Sequence, residues 1–252
     1  MGLCGYVGSQ RLAFIVAGLL TVPALLALRA IGPDRFRVSP ERSADDKPGL
    51  FAPFRLLRDR GLLIFALCVA LFQVASIAVL QLSAVDVTAR LGARGAPVIA
   101  AFLIVPQVVV AVLSPWIGRQ ADRFGHRLAL LAGFVTVPIR GVFFATLRNP
   151  YALVPVQLLE GAGGATLGVM MPLVAADLTA KRGYYTLCIS LLGLANGAGT
   201  AISTALAGWS ADRFGRNAAY WVLAGAGMLA VALVALAMPE TSDAAKGERR
   251  AA

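Results

Sequence analysis

Residues 61–85 read GLLIFALCVALFQVASIAVLQLSAV, a run of 25 residues without a charged side chain. A helix needs about 20 mostly apolar residues to cross the hydrocarbon core of a bilayer, so this run is long enough to span one. Further uncharged runs occupy residues 95–118 and 218–239. The whole chain of 252 residues is 58% apolar and 14% charged, with a mean hydropathy of +0.76. A soluble domain is nearer about 45–50% apolar and about 25% charged. The sequence therefore indicates an integral membrane protein.

The alternation of apolar runs with short polar segments predicts an all-α protein with about seven transmembrane helices. The predicted spans are residues 12–31, 61–84, 95–118, 128–147, 151–178, 187–210 and 218–238. The first run could also be read as a signal peptide, but Arg29 stands where a cleavage site would be expected.

Four segments follow from these spans. Residues 1–31 would form a short external N-terminus and the first helix. Residues 32–60 contain four prolines and mixed charges and predict a cytoplasmic linker. Residues 61–241 would form a bundle of six helices, and residues 242–252 a polar cytoplasmic tail.

Lysine and arginine residues predict the orientation in the membrane. If the spans alternate in direction, the polar segments on one side hold sixteen of these residues and those on the other side hold six. The positively charged side normally faces the cytoplasm. We therefore expect a multi-pass protein of the plasma membrane with its C-terminus in the cytoplasm.

Composition also excludes several classes of function. The net charge is +10, but the charges lie between apolar runs and form no basic face, which argues against nucleic-acid binding. Cys4, Cys68 and Cys188 have no metal-site spacing, and His126 is the single histidine, expected as a solvated loop residue. No metal, cofactor or enzymatic activity is predicted.

A short repeat suggests internal symmetry. The string Ala-Asp-Arg-Phe-Gly occurs at residues 121–125 and again at residues 211–215. Three predicted spans separate the copies, so they would lie on opposite membrane faces, as expected of an inverted three-helix repeat. The alternative is that both copies are simply favourable turn sequences.

The flanks of these strings carry a resemblance to a known family. Gly118-Arg-Gln-Ala-Asp122-Arg-Phe-Gly125-His-Arg127 resembles the Gly-x-x-x-Asp-Arg-x-Gly-x-(Arg/Lys) signature of the major facilitator superfamily of transporters. Gly208-Trp-Ser-Ala-Asp212-Arg-Phe-Gly215-Arg216 resembles the loop before that family's last helix. Met238-Pro-Glu-Thr241 is similar to the end of that helix, and Gln157-Leu-Leu-Glu160-Gly-Ala-Gly-Gly to the start of the tenth.

The resemblance implies that the spans correspond to helices six to twelve of a twelve-helix transporter. By that comparison the five preceding helices would be absent, and the six-helix C-terminal bundle would contain inverted three-helix repeats. Gln120 and His126 depart from the usual signature. The family's signature implies a latch that holds the outward-facing state. The latch residues here would be Gly118, Asp122, Arg123, Gly125 and Arg127. Their repeat counterparts are Gly208, Asp212, Arg213 and Gly215.

Charged and polar residues inside the predicted spans are candidates for a transport path. Arg140 and Glu160 lie at matched depths on adjacent antiparallel spans, so we expect them to pair, either as a functional site or as a structural ion pair. The uncharged candidates are Gln73, Gln81, Gln107, Gln157 and Asn196. Small residues at 161, 164 and 168, and at 193, 197 and 200, predict faces for close helix packing.

The function predicted from these features is secondary active transport of a small molecule, with proton-coupled, multidrug-like efflux suggested by the resemblance. The expected partners are membrane lipid, a small-molecule substrate, protons, and either a missing N-terminal half or a second copy of the chain. Because alternating access requires two bundles, we expect the chain to insert but not to transport unless it pairs with another copy or another half. The alternatives are a truncation product that does not transport, a seven-helix membrane enzyme and a seven-helix receptor.

Overall fold

A computed structural model of the chain describes residues 59–179 and 184–238, with the backbone alone at residues 122–124. The predicted first span at residues 12–31 and the predicted tail at residues 242–252 lie outside the described residues. So does nearly all of the predicted linker at residues 32–60.

The described residues form six long α-helices and no strand. The helices are α1 (Arg60–Leu91), α2 (Ala96–Phe124), α3 (His126–Thr146), α4 (Leu153–Thr179), α5 (Tyr185–Phe214) and α6 (Arg216–Ala237). Short 3-10 turns at Gly92–Gly95 and Pro150–Ala152 precede α2 and α4. Each of the six spans predicted for this part of the chain corresponds to one helix, and the all-α fold class is confirmed.

Length and composition allow these helices to cross a membrane. Within the described residues, five continuous helical stretches qualify, and the first of them contains both α1 and α2 with the turn between them. The qualifying stretches are Arg60–Ala121, His126–Thr146, Pro150–Thr179, Tyr185–Phe214 and Arg216–Ala237. The protein is therefore an integral membrane protein.

The helix boundaries have local causes in the sequence. The Asp59 carboxylate accepts a hydrogen bond from the backbone N–H of Gly61 at 3.0 Å and so caps α1. Gly125 separates α2 from α3 with φ +92°, and Gly215 separates α5 from α6 with φ +86°. Only glycine adopts such backbone angles without a steric penalty, which explains how each junction changes direction within one residue.

Consecutive helices run in opposite directions. At one end of the bundle, His126 contacts Asp177 near the end of α4, and Arg127 contacts the Ala235 carbonyl near the end of α6. At the other end, Asp86 of α1 contacts Arg216 at the start of α6. We call these the Gly125 end and the Gly215 end.

The packing of the six helices is symmetric. The most extensive contacts join α1 to α5, α2 to α4, and α3 to α6, followed by α3 to α4 and α1 to α6. If α1 is exchanged with α4, α2 with α5 and α3 with α6, the same five pairs of contacting helices result. The glycines that end α2 and α5 also donate equivalent N–H hydrogen bonds, to Ala121 and Ala211 respectively. The inverted three-helix repeat predicted from the sequence is therefore present in the fold.

Close helix packing confirms the prediction at Gly161 on α4 and contradicts it at Gly193 and Gly197 on α5. A Cβ atom on Gly199 would lie 2.4 Å from the Ala70 carbonyl oxygen, so α5 and α1 are in backbone contact there. Gly161 packs equally tightly against Val109 of α2. In contrast, a Cβ atom on Gly193 or Gly197, two of the predicted packing positions, would meet no atom within 4 Å. The prediction placed the packing face of α5 on the wrong side of the helix.

Candidate functional site

A polar layer divides the apolar core into two parts. One cluster of buried side chains contains Phe72 and Phe134 and extends to the Gly125 end. The other contains Phe144 and Tyr220 and lies toward the Gly215 end. Along α1, α3 and α4 the two clusters are separated by three polar residues, which are Ser76, Arg140 and Glu160. These three side chains contact one another and form the core of the candidate site.

Arg140 is the most deeply buried charge of this layer. Its side chain is 2% exposed, and its guanidinium group forms an ion pair with the Glu160 carboxylate. It also donates hydrogen bonds to the Ser76 hydroxyl and to the Ser76 backbone carbonyl, both at 3.1 Å. The Phe144 ring lies 5.7 Å from the guanidinium carbon and adds a cation–π contact. The predicted contact between Arg140 and Glu160 is therefore present in the structure.

Glu160 is held less tightly than its partner. The Ser76 hydroxyl donates a hydrogen bond to the same carboxylate oxygen at 2.7 Å, yet the Glu160 side chain remains 26% exposed. Gly164 and Gly168 follow Glu160 at intervals of one helical turn, and neither has a close neighbour that a Cβ atom would touch tightly. The carboxylate is thus accessible along a side of α4 that has no bulky side chains, whereas the guanidinium is enclosed.

The other predicted polar residues divide into two groups. The Gln73 amide donates to the Asn196 side-chain oxygen at 2.5 Å and so connects α1 to α5. Gln157 is 1% exposed, and its side-chain oxygen has no hydrogen-bond partner among the described residues. Gln81 and Gln107 are exposed on α1 and α2. The structure therefore buries Gln157, leaves Gln73 and Asn196 half-buried where α1 meets α5, and exposes the other two.

The signature residues lie at the junction of α2 and α3. Arg127 donates a hydrogen bond to the Ala235 carbonyl in the last turn of α6. Gly118 is half-buried, and a Cβ atom there would make only an ordinary contact with Val169. Close approach at Gly118 is thus absent within the described residues. Asp122 and Arg123 belong to the residues whose side chains the structure does not describe.

His126 is not the solvated loop residue that its position suggested. It begins α3, is 7% exposed, and its Nδ1 atom lies 3.1 Å from a carboxylate oxygen of Asp177 at the end of α4. The misassignment arose because the junction contains only Gly125 between two helices, so no loop exists there to expose the histidine.

The second copy of the repeat lies at the opposite end of the bundle and is more open. Asp212, Arg213 and Gly215 are all exposed, and a Cβ atom on Gly208 would meet no atom within 4 Å. Its backbone geometry matches that of the first copy, but its polar side chains face outward.

Sequence reasoning missed two serines that the fold brings into contact with other helices. Ser76 joins Arg140 and Glu160, and Ser203 accepts from the Ala78 N–H and donates to the Val74 carbonyl across the α1–α5 contact. Serine is common in apolar helices and gives no signal on its own. The described residues contain no group of three His, Cys, Asp or Glu side chains that could hold a metal ion.

A six-helix membrane bundle with an inverted repeat and an enclosed ion pair defines the architecture of a transporter domain. Comparison with known proteins identifies the family. The family model described as Major Facilitator Superfamily matches residues 88–252. Two relatives from strains of Mycobacterium tuberculosis, both named as uncharacterized MFS-type transporters, are each 32% identical over 96% of this chain. The chain belongs to the major facilitator superfamily, a family of transporters rather than enzymes. It spans 59% of the length of these relatives.

Proposed function

We propose that this chain provides the C-terminal six-helix bundle of a plasma-membrane transporter that exports a small molecule in exchange for protons. The observation that carries the proposal is the layer formed by Ser76, Arg140 and Glu160 inside a bundle of membrane-spanning helices. A charge within such helices is costly and usually marks a pathway for ions or substrate.

The asymmetry of the ion pair supports proton coupling. Glu160 is partly accessible, whereas Arg140 is enclosed and keeps two hydrogen bonds to Ser76 that do not depend on the carboxylate charge. Protonation of Glu160 would therefore remove the ionic attraction between α3 and α4 without leaving the guanidinium wholly unpartnered. A change in attraction between two helices is the kind of step that can couple proton binding to a change of conformation.

A second bundle is needed to complete the mechanism. Alternating access depends on two bundles that rock about a site at their interface. The exposed side chains of Gln81 and Gln107 are suited to line that interface, since they are polar groups on apolar helices. We propose that the partner is an N-terminal half or a second copy, and that Asp122, Arg123 and Arg127 form its latch with the partner.

Reconstitution tests both parts of this proposal. The purified chain is placed in liposomes that are acidic inside, and uptake of a panel of lipophilic cations is measured with and without the proton gradient. Empty liposomes give the background. If a second copy is the partner, we expect gradient-dependent uptake that rises more steeply than in proportion to the number of chains per liposome, because copies must meet to transport. Robust uptake by a chain shown to be monomeric would contradict the requirement for a second bundle.

Glu160→Gln tests the role assigned to the carboxylate. The substitution retains size and hydrogen bonding but cannot release a proton, so we expect gradient-driven uptake to fall at least tenfold. Ser190→Ala is the control, because the Ser190 hydroxyl is exposed and donates to a carbonyl of its own helix. If Glu160→Gln transports as well as Ser190→Ala, proton coupling does not pass through Glu160. If no cation is transported by any variant, a second copy of the chain does not supply the second bundle, and the remaining alternatives are an N-terminal half as partner or a truncation product.

A further inference from the structure

A polar cavity of about 370 Å³ lies at the Gly215 end of the bundle, away from the layer around Arg140. It is bounded by the end of α1, the end of α3, the turn before α4 and the start of α6. The charged side chains that line it are Asp86, Arg90, Arg148 and Arg216. No step of the proposed transport mechanism uses this cavity.

The cavity carries a net positive charge. Three arginines line it, against the single carboxylate of Asp86. Arg216 contacts that carboxylate at 2.9 Å, Arg90 lies 3.9 Å from it, and Arg90 also donates to the Arg148 backbone carbonyl. These contacts position the guanidinium groups of Arg90 and Arg216, and the three arginines exceed the one carboxylate by two positive charges. An anion with several oxygen acceptors, such as a phosphate, would satisfy that excess.

A separate apolar groove of about 610 Å³ lies beside α3 and α6, closer to the middle of the membrane than the cavity. It lies between α3 and α6 and is lined almost wholly by hydrocarbon and aromatic side chains, from Val142 to Val135 on α3 and from Trp221 to Val231 on α6. Thr146 and Asn217, which line the cavity, each stand one helical turn from Val142 and Trp221, which line the groove. The cavity and the groove therefore lie in line on the same two helices.

The length of the groove matches one leaflet of a bilayer. Ten residues separate Trp221 from Val231, which corresponds to about 15 Å along the helix axis. The hydrocarbon core of a bilayer is roughly 30 Å thick. The groove thus extends from the headgroup level to about the bilayer midplane, and a molecule that filled both the groove and the cavity would need an apolar end and an anionic end.

We propose that this surface is a binding site for an anionic phospholipid, with the phosphate in the cavity of Arg90, Arg148 and Arg216 and an acyl chain in the groove between α3 and α6. A free phosphate would use the cavity and leave the groove without a role, and a neutral phospholipid would leave the excess positive charge uncompensated. The lipid would join α1, α3, α4 and α6 at one end and so stabilise the bundle.

Thermal unfolding of the delipidated full chain in a neutral detergent tests this inference. Phosphatidylglycerol, phosphatidylcholine with the same acyl chains, and inorganic phosphate are added separately at equal concentrations. Binding to the folded state alone raises Tm, by about 5–10 °C at a hundredfold excess over Kd for a chain of this size. We expect this rise with phosphatidylglycerol and less than half of it with either of the other two.

Two sets of variants distinguish the headgroup site from the groove. Arg148→Gln and Arg216→Gln should each reduce the rise in Tm caused by phosphatidylglycerol, whereas Arg94→Gln, an exposed arginine at the same end that does not line the cavity, should retain it. Gly225→Leu fills the groove at a position where a Cβ atom meets nothing within 4 Å, so the protein should fold but respond less to the lipid.

Three results would overturn the proposal. Equal rises in Tm with phosphatidylcholine and phosphatidylglycerol would show that the lipid's negative charge plays no part in binding. A full shift with inorganic phosphate would assign the cavity to a free anion, and a full lipid response in both arginine variants would place the lipid elsewhere. Failure of the transport assay leaves this measurement unaffected, because it needs no transported substrate.

Discussion

Arg140 keeps its charge in an apolar bundle because acceptors of two kinds surround it. The Glu160 carboxylate supplies the opposite charge, and the hydroxyl and carbonyl oxygens of Ser76 supply two further hydrogen-bond acceptors. The guanidinium Nε atom has no hydrogen-bond partner among the described residues. The buried positive charge of Arg140 therefore has an opposite charge beside it, but one of its hydrogen-bond donors is unsatisfied. The stability of the folded bundle should depend strongly on the Glu160 carboxylate.

The two members of the pair should respond unequally to substitution. Glu160→Leu leaves an enclosed arginine without an opposite charge, and removing one partner of a buried pair costs about 3–5 kcal/mol. Arg140→Met leaves Glu160, which is 26% exposed and still accepts from Ser76, so the loss should be smaller. Equilibrium unfolding in detergent micelles measures both free energies.

The double substitution and the exchanged pair complete that test. Arg140→Met combined with Glu160→Leu should be more stable than Glu160→Leu alone, because the unpaired charge is removed with its partner. Exchanging the two residues should recover part of the loss. The ion pair would have no stabilising role if Glu160→Leu unfolded no more readily than the unsubstituted protein, and equal losses in Glu160→Leu and Arg140→Met would contradict the predicted asymmetry.

At the scale of single elements, α1 and α5 form the tightest backbone contact. The Ser203 hydroxyl donates to the Val74 carbonyl at 2.6 Å and accepts from the Ala78 N–H at 3.1 Å, so the two helices are also joined by hydrogen bonds. Gly199, one turn away on α5, lies against Ala70, one turn away on α1. The contact requires a residue without a side chain at position 199.

Two glycines of α5 provide a matched comparison. Gly199→Ala would place a methyl group 2.4 Å from the Ala70 carbonyl oxygen, and the backbone cannot yield without separating the helices. We expect a loss of about 1–3 kcal/mol, typical of overpacking. Gly197→Ala meets no atom within 4 Å and should change the unfolding free energy by less than about 0.5 kcal/mol, like other substitutions away from packed sites. Equal losses in the two variants would contradict the packing described.

The contrast between these glycines shows what the sequence can predict for an element. The uncharged runs of the sequence predicted where the helices lie. Each of the six described helices begins within a few residues of the predicted start. The rotation of a helix about its axis was not predictable, because a helix that is apolar on all sides gives no periodic signal for the face that packs. The prediction therefore chose Gly197, although Gly199 makes the contact.

At the scale of the whole molecule, the repeated string proved more informative than its five residues suggested. It predicted two equivalent junctions, and the structure gives Gly125 and Gly215 nearly the same φ at opposite ends of the bundle. The similar depth of Arg140 and Glu160 in two adjacent predicted spans likewise predicted their contact. Ser76 was not predictable, because its role depends on how α1 lies between α3 and α4.

The two ends of the bundle should face opposite sides of the membrane. Arg119, near the Gly125 end, and Asp212, near the Gly215 end, are both exposed, so each can be replaced by cysteine after removal of Cys4, Cys68 and Cys188. Sixteen lysines and arginines belong to the segments assigned to the Gly125 side, against six for the other. We therefore expect an impermeant thiol reagent to label Asp212→Cys in intact cells and Arg119→Cys only after the cytoplasmic face is opened. Labelling of both cysteines from one side would refute the inverted arrangement of the repeats. Labelling with the two sides exchanged would leave the repeat intact but reverse the proposed orientation.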